Sequence, residues 1–167
     1  MIREAQIEDV PAVVGLVHEL AEYEREAASC TLTEAQLRHA LFGPEPVAQC
    51  HVAEAAGEVV GCAIWFLNFS TWTGVAGIHL EDLFVRPAHR GSGLGRALLA
   101  ALAGVCSERG YARLEWQVLD WNEPSIGFYR SLGAVPMDGW TTYRLDGDAL
   151  AAFAATATTG ATVPERS

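Results

Sequence analysis

The 167-residue chain contains no lysine; its eleven basic residues other than histidine are all arginine. In so alanine-rich a sequence this reads as a compositional bias of the genome rather than a functional choice. Basic charge is scarce altogether, 11 residues against 21 acidic ones, for a net charge of −10. That balance argues against a nucleic-acid partner, whose phosphates would be repelled. It leaves open a preference for cationic substrates or a merely solubilising acidic exterior. Cysteine is also thin. Cys30, Cys50, Cys62 and Cys106 lie far apart, with no pair at metal-ligand spacing, so buried or incidental reduced thiols are expected. His18, His39, His51, His79 and His89 are equally dispersed, and no metal site is expected. No apolar run approaches the roughly 20 residues of a membrane span. Met1-Ile2-Arg3-Glu4 lacks the basic-then-apolar layout of a signal peptide. A cytoplasmic protein without a membrane partner is the expectation.

What is present suits one globular domain. Half of the residues are apolar, and a chain of this length buries about two-thirds of its unfolded surface. We expect a single domain over 1–155, followed by a small, polar, mobile tail at 156–167. Ile2 to Ala5 reads as a short strand. Val10, Val13, Val14, Val17, Leu20 and Ala21 recur near every 3.6 residues and predict a helix from about Glu8 to Glu24, with Pro11 in its first turn. Thr33 is positioned to cap a second helix running to Leu41, which Gly43-Pro44 ends. Strands are predicted at Gln49–Glu54 and Val59–Phe69, joined by the turn Ala56-Gly57-Glu58, and at Ala76–Val85. A long helix from Gly93 to about Arg109 stops at Gly110. Then come a strand from Arg113 to Leu119, a helix from Asn122 to Leu132, a strand from Trp140 to Leu145 and a short helix from Asp148 to about Ala155. Strands flanking helical crossovers imply an α/β (α+β) fold built on a mixed sheet covered by helices.

The most informative stretch is Arg90-Gly91-Ser92-Gly93-Leu94-Gly95, between the strand ending at Val85 and the long helix. Glycines let the main chain turn tightly and come close to a ligand. The first N–H groups of the helix lack intrahelical partners and point at whatever fills the turn. A phosphate or pyrophosphate is the natural guest, and a bare helix-entry turn is the alternative.

Together with Trp121-Asn122-Glu123-Pro124-Ser125-Ile126-Gly127-Phe128-Tyr129-Arg130-Ser131-Leu132-Gly133-Ala134, this loop resembles the GNAT superfamily of N-acetyltransferases. Its sequence fits that family's acetyl-CoA motif, Gln/Arg-x-x-Gly-x-Gly/Ala. A narrower resemblance, to the diamine (spermidine/spermine) and thialysine N-acetyltransferases, rests on four segments: Glu19 to Glu24, Leu80 to Val85, Trp121 to Ile126 with Phe128-Tyr129, and Gly139-Trp140. The resemblance implies a GNAT fold with a mixed, mostly antiparallel, twisted sheet of about six to seven strands. It also implies acetyl-CoA as cosubstrate, a small-molecule amine as acceptor, and a homodimer.

The resemblance distributes roles residue by residue. Backbone N–H groups of Gly91, Ser92, Gly93, Leu94, Gly95 and Arg96, with Arg90, would hold the CoA pyrophosphate. Main-chain groups of Leu83, Phe84 and Val85 would bond the pantetheine arm like an added strand. An alkyl ammonium has a pKa near 10, so only about one molecule in a thousand is nucleophilic at neutral pH. A carboxylate can take the excess proton, and Glu81 matches the family's glutamate. Substrate binding or solvation at the rim remain open for Glu81. Asp82 would face the other side of a regular strand unless a bulge re-aims it, and suits cation binding. Asn122, Ser125 and Tyr129 share one helix face at i, i+3 and i+7. Tyr129 matches the general acid that protonates the departing thiolate, with a buried structural tyrosine as the alternative. Asn122 and Ser125 would line the acetyl-CoA cleft, Asn122 serving equally well as a helix cap. Tyr23 and Glu24 match substrate-side positions, and Trp72 and Trp140 resemble aromatic walls for a methylene chain with cations.

Two departures bear on the acceptor. Ser70 stands where the diamine enzymes carry an aspartate, and one extra residue separates Trp72 from Glu81. Losing a carboxylate weakens the case for a long polyamine and brings a thialysine-like amino acid level with it. Protein lysines and aminoglycosides rank lower as acceptors. An acetyl-CoA sensor without turnover is the reading from another class, and the presence of both Glu81 and Tyr129 counts against it.

Overall fold

A computed structural model describes residues 1–157. The chain groups into two compact units, Met1–Leu119 and the part from Asp120 onward. The first contains β1 (Ile2–Glu4), α1 (Val10–Tyr23), α2 (Glu34–Phe42), β2 (Gln49–Ala55), β3 (Glu58–Ser70), β4 (Val75–Val85), α3 (Leu94–Arg109) and β5 (Leu114–Trp116). The second contains α4 (Glu123–Ser131) and α5 (Gly147–Ala154).

The sheet runs in sequence order, β1-β2-β3-β4-β5. The first three pairings are antiparallel and the β4–β5 pairing is parallel. Directly opposed residues share a face, so the register assigns each face. Cys50 and Val52 of β2, Cys62 and Ile64 of β3, and Phe84 of β4 lie on one side. They form a core with Val10, Val13 and Leu16 of α1 and Leu37 and Leu41 of α2. On the opposite side His51, Trp65, Ile78 and Leu80 are buried, and Trp65 Nε1 donates to His51 Nδ1 at 3.1 Å. Leu98, Leu99, Leu102 and Cys106 form the buried stripe of α3, recurring at helical spacing. Burial lowers the His51 pKa and keeps its Nδ1 an acceptor.

Local signals explain most boundaries. Thr33 caps α2 through its hydroxyl, which accepts from the Gln36 N–H, while the Gln36 side chain accepts from the Thr33 N–H at 2.9 Å. Pro11 sits in the first turn of α1, and Gly110 ends α3 in the left-handed conformation. Arg3 binds Asp9 through two bonds of 2.6 and 3.0 Å and Glu54 through a third of 3.1 Å, joining β1 to the entry of α1 and to β2.

One expectation needs correction. Trp140–Leu145 is not a strand, and among the described residues the sheet has five strands rather than six to seven. Every residue from 140 to 145 is exposed, so the alternating pattern has no face to bury and no neighbouring ladder to satisfy its backbone. The predicted strand at Arg113–Leu119 is shorter, Leu114–Trp116. Residues 158–167 of the expected tail lie outside the described residues.

Candidate functional site

Within the first unit the site is built around the exit of β4. After Val85 a short 3-10 turn, Pro87–His89, leads to Arg90, and α3 begins at Leu94. Gly91 and Gly93 have φ of 76° and 87°, a region that costs a side-chain-bearing residue roughly 1–2 kcal/mol. Apart from the adjacent residues, no atom lies within 4 Å of where a Cβ on either would stand, so the loop has open space beside both glycines. The Ser92 hydroxyl donates to the His89 carbonyl at 2.5 Å. No side chain caps the start of α3, which leaves its first N–H groups facing that space with the positive end of the helix dipole behind them. Bare donors, open room and a favourable dipole fit a phosphate or pyrophosphate.

Arg90 fixes this loop from beneath. Its Nε donates to the Val85 carbonyl at 2.9 Å, and its guanidinium lies 4.9 Å from the Tyr23 ring centroid and 5.4 Å from that of Phe84. Arg86 grips Glu19 of α1, with Nε–Oε1 at 3.0 Å and Nη2–Oε1 at 2.9 Å. The C-terminal half of α1 is thereby tied to the strand that feeds the loop. Sequence reasoning missed the contacts of Arg86 with Glu19 and of Arg90 with Tyr23, because both partners are distant in the chain.

The carboxylates depend on an irregularity in β4. Trp65 pairs with Leu80 and Ile64 with Asp82, leaving Glu81 without a partner on β3. This bulge inverts the alternation. Ile78 and Leu80 share a face with Leu83 and Val85, whereas His79 shares one with Asp82 and Phe84. Asp82 is thus turned toward the α1 side of the sheet, beside the core residue Ile64. The pairing of β4 with β5 ends at Leu80 and Trp116, so among the described residues Asp82 to Val85 have β3 on one side and no strand on the other.

Glu81 is exposed, its Oε2 3.7 Å from His79 Nε2. Asp82 is half-buried, and its pKa is raised to about 6, chiefly by burial and further by the carboxylates of Glu81 and Glu24. Partial burial also raises the Glu24 pKa at the end of α1. Tyr23, Glu24, Glu81, Asp82, Phe84 and Arg90 therefore converge on one region of the first unit. Trp72 sits in the β3–β4 turn and is 88% exposed. Ser70 serves that same turn, its Oγ accepting from the Thr73 N–H at 3.4 Å.

The second unit presents α4. Asn122 is buried and caps the helix, its Oδ1 accepting from the Ser125 N–H at 3.4 Å. Ser125 and Tyr129 follow on the half-buried face, and the rings of Phe128 and Tyr129 lie 5.4 Å apart. Trp140 lies outside any element and is 74% exposed. Among the described residues, no group of three or more His, Cys, Asp or Glu side chains could hold a metal ion. No helix among them is long and apolar enough to cross a membrane.

Comparison with known proteins places these features. Residues 14–134 match the family model described as Acetyltransferase (GNAT) family. A thialysine N-epsilon-acetyltransferase from Bos taurus is 38% identical over 161 residues, spanning 90% of this chain and 94% of its own. The spermidine/spermine N(1)-acetyltransferase-like protein 1 from Homo sapiens is 31% identical over 159 residues, covering 89% of this chain and 23% of that protein. An integron cassette protein from the mobile metagenome of V. cholerae superposes with a TM-score of 0.78 at 25% identity, covering 92% and 96% of the two chains.

Proposed function

Since the chain belongs to the GNAT acetyltransferase family and is an N-acetyltransferase, we propose that it transfers acetyl from acetyl-CoA directly to a primary amine of a small cationic acceptor. A thialysine-like amino acid or a short diamine is the substrate class. The observation that carries this reading is the open glycine cradle at the uncapped start of α3, joined to a β4 whose bulge gathers carboxylates beside it.

When bound, acetyl-CoA supplies an acetyl thioester, whose thiol is the leaving group. The N–H groups of Gly91 to Arg96 hold its pyrophosphate, and Arg90 keeps their spacing by bracing the loop on Val85. The open side of Asp82 to Val85 offers main-chain donors and acceptors to an extended arm. Asn122 and Ser125 of α4 are assigned to the same cosubstrate.

On the acceptor side, Asp82 is ionised above about pH 6 and attracts the ammonium, with Glu24 adding negative potential. Glu81 takes the proton from the ammonium nitrogen, freeing the lone pair that forms the new C–N bond. By the family likeness, the Tyr129 hydroxyl would protonate the departing thiolate and be restored by the proton the nitrogen still sheds as the amide forms. Tyr23, Trp72 and Trp140 provide aromatic surface for the acceptor's methylenes and charge.

The thialysine-like acceptor is favoured by the 38% identical relative and by Ser70, whose hydroxyl is engaged within its turn and supplies no carboxylate for a distant second ammonium. A homodimer remains part of the proposal through the family likeness, and a cytoplasmic location through the sequence expectation alone. The test is a pair of variants. Tyr129→Phe and Glu81→Gln should each lower kcat about 100-fold or more while acetyl-CoA affinity, read by calorimetry, stays within about two-fold. An equal loss in kcat and cosubstrate affinity would remove the acid and base assignments.

A further inference from the structure

We propose that His79 is a positioning residue for Glu81, orienting its carboxylate and relaying the proton it collects to solvent; this rests on the reading of Glu81 as the proton acceptor. The two residues are two apart on β4, and the bulge leaves Glu81 free of β3 while His79 stays in register with Phe66. The His79 ring lies 4.9 Å from the Phe66 ring at an interplanar angle of 31°, which fixes the imidazole plane. Its Nε2 then stands 3.7 Å from Glu81 Oε2. That is an ion-pair distance, completed for proton transfer by a small approach or one bridging water.

The surroundings leave His79 available for this role. On β5 its register partner is Glu115. The Glu115 carboxylate accepts from Asn68 Nδ2 at 2.5 Å and lies 3.3 Å from Arg113 Nε. On β4 the neighbouring acids are Glu81 and Asp82, the latter coupled to Glu24 of α1. β3 contributes Phe66 and Asn68, neither of which titrates. Glu115 is thus engaged by its own partners, and Glu81 is the carboxylate that His79 Nε2 meets. The His79 side chain is 22% exposed against 58% for Glu81, held by packing yet in reach of water.

The proton balance is simple. As the acceptor's lone pair is freed for the C–N bond, its ammonium proton goes to the Glu81 carboxylate. The resulting carboxylic acid gives it to the neutral Nε2, and the imidazolium releases a proton to water, restoring both groups. A relay of this kind shows as a loss in kcat without a loss in binding, and free imidazole can restore it.

Two variants separate relay from packing. His79→Phe keeps a ring against Phe66, and His79→Ala leaves a space that free imidazole can enter. With saturating acetyl-CoA and amine, His79→Phe should lose about ten-fold in kcat and keep both KM values and the melting midpoint. His79→Ala should lose a similar factor and regain it on addition of imidazole. Unchanged kcat in His79→Phe would overturn the proposal, as would a His79→Ala defect that imidazole does not relieve. Glu81→Gln distinguishes the two levels of the reading. If it leaves kcat intact, the assignment of Glu81 fails and His79 falls with it. If it abolishes turnover while His79→Phe does not, only the role of His79 fails.

Discussion

Gly93→Ala and Gly110→Ala form a matched pair on a single helix. Both glycines flank α3 with positive φ, 87° and 67°, and a Cβ on either meets no atom within 4 Å. The steric cost to the fold is therefore the same backbone strain, roughly 1–2 kcal/mol. For a chain of this size that corresponds to a fall of about 2–8 °C in melting midpoint. The consequences for binding differ. At Gly110 the added methyl points into solvent beyond the end of the helix. At Gly93 it stands on the residue that opens α3, inside the glycine loop, and if the loop cradles a phosphate it pushes that phosphate off at least one N–H. Losing one charge-assisted hydrogen bond costs about 1.5–3 kcal/mol, or about ten- to one-hundred-fold in Kd. Calorimetric titration with acetyl-CoA, alongside thermal melts, reads both quantities. Similar melting shifts with weakened binding only in Gly93→Ala are expected. Equal affinity in the two variants would refute the cradle.

Two further outcomes follow from the charged groups. Asp82 has a raised pKa, so its ionised form is disfavoured in the folded chain, and the protein carries that penalty above about pH 6. Asp82→Asn should accordingly be more stable than the parent at pH 8, with the gain fading toward pH 4, while its KM for the amine rises; denaturant titrations at the two pH values and initial rates check this. Asp9 is the opposite case. Arg3 and the Gln6 N–H hold its pKa below the usual value, so its contribution is present above about pH 4 and is lost as pH falls further. Asp9→Asn should cost about 1–3 kcal/mol at pH 7, and its denaturation midpoint should converge on that of the parent in acid.

The helices, the strands β2, β3 and β4 and the turn that joins β2 to β3 were legible because their signals are local. The apolar period of α1, the Thr33 cap and the glycine that ends α3 each act within a few residues of themselves. The acidic and aromatic candidates were legible as residues, but the geometry joining them was not. Only pairing with β3 reveals that Glu81 sits at a bulge, and that bulge decides which face Asp82 occupies. The struts Arg86–Glu19 and Arg90–Tyr23 span 67 residues of chain, beyond any periodicity. His79 passed as one dispersed histidine, although its spacing of two from Glu81 on a strand was the available signal. At Trp140–Leu145 the alternating pattern misled, because alternation describes a strand only when another strand is there to pair with it.

The central claim is that this chain moves acetyl from acetyl-CoA to a small cationic amine. Thiol release from acetyl-CoA, followed with thialysine, lysine, spermidine, a protein-lysine peptide and an aminoglycoside as acceptors, addresses it directly. Release strictly dependent on amine is expected, with thialysine or a short diamine giving the highest kcat/KM and one acetylated amine formed per thiol freed. Tight binding of acetyl-CoA with no thiol released in the presence of any amine would contradict the claim and make the protein a sensor of the cosubstrate instead.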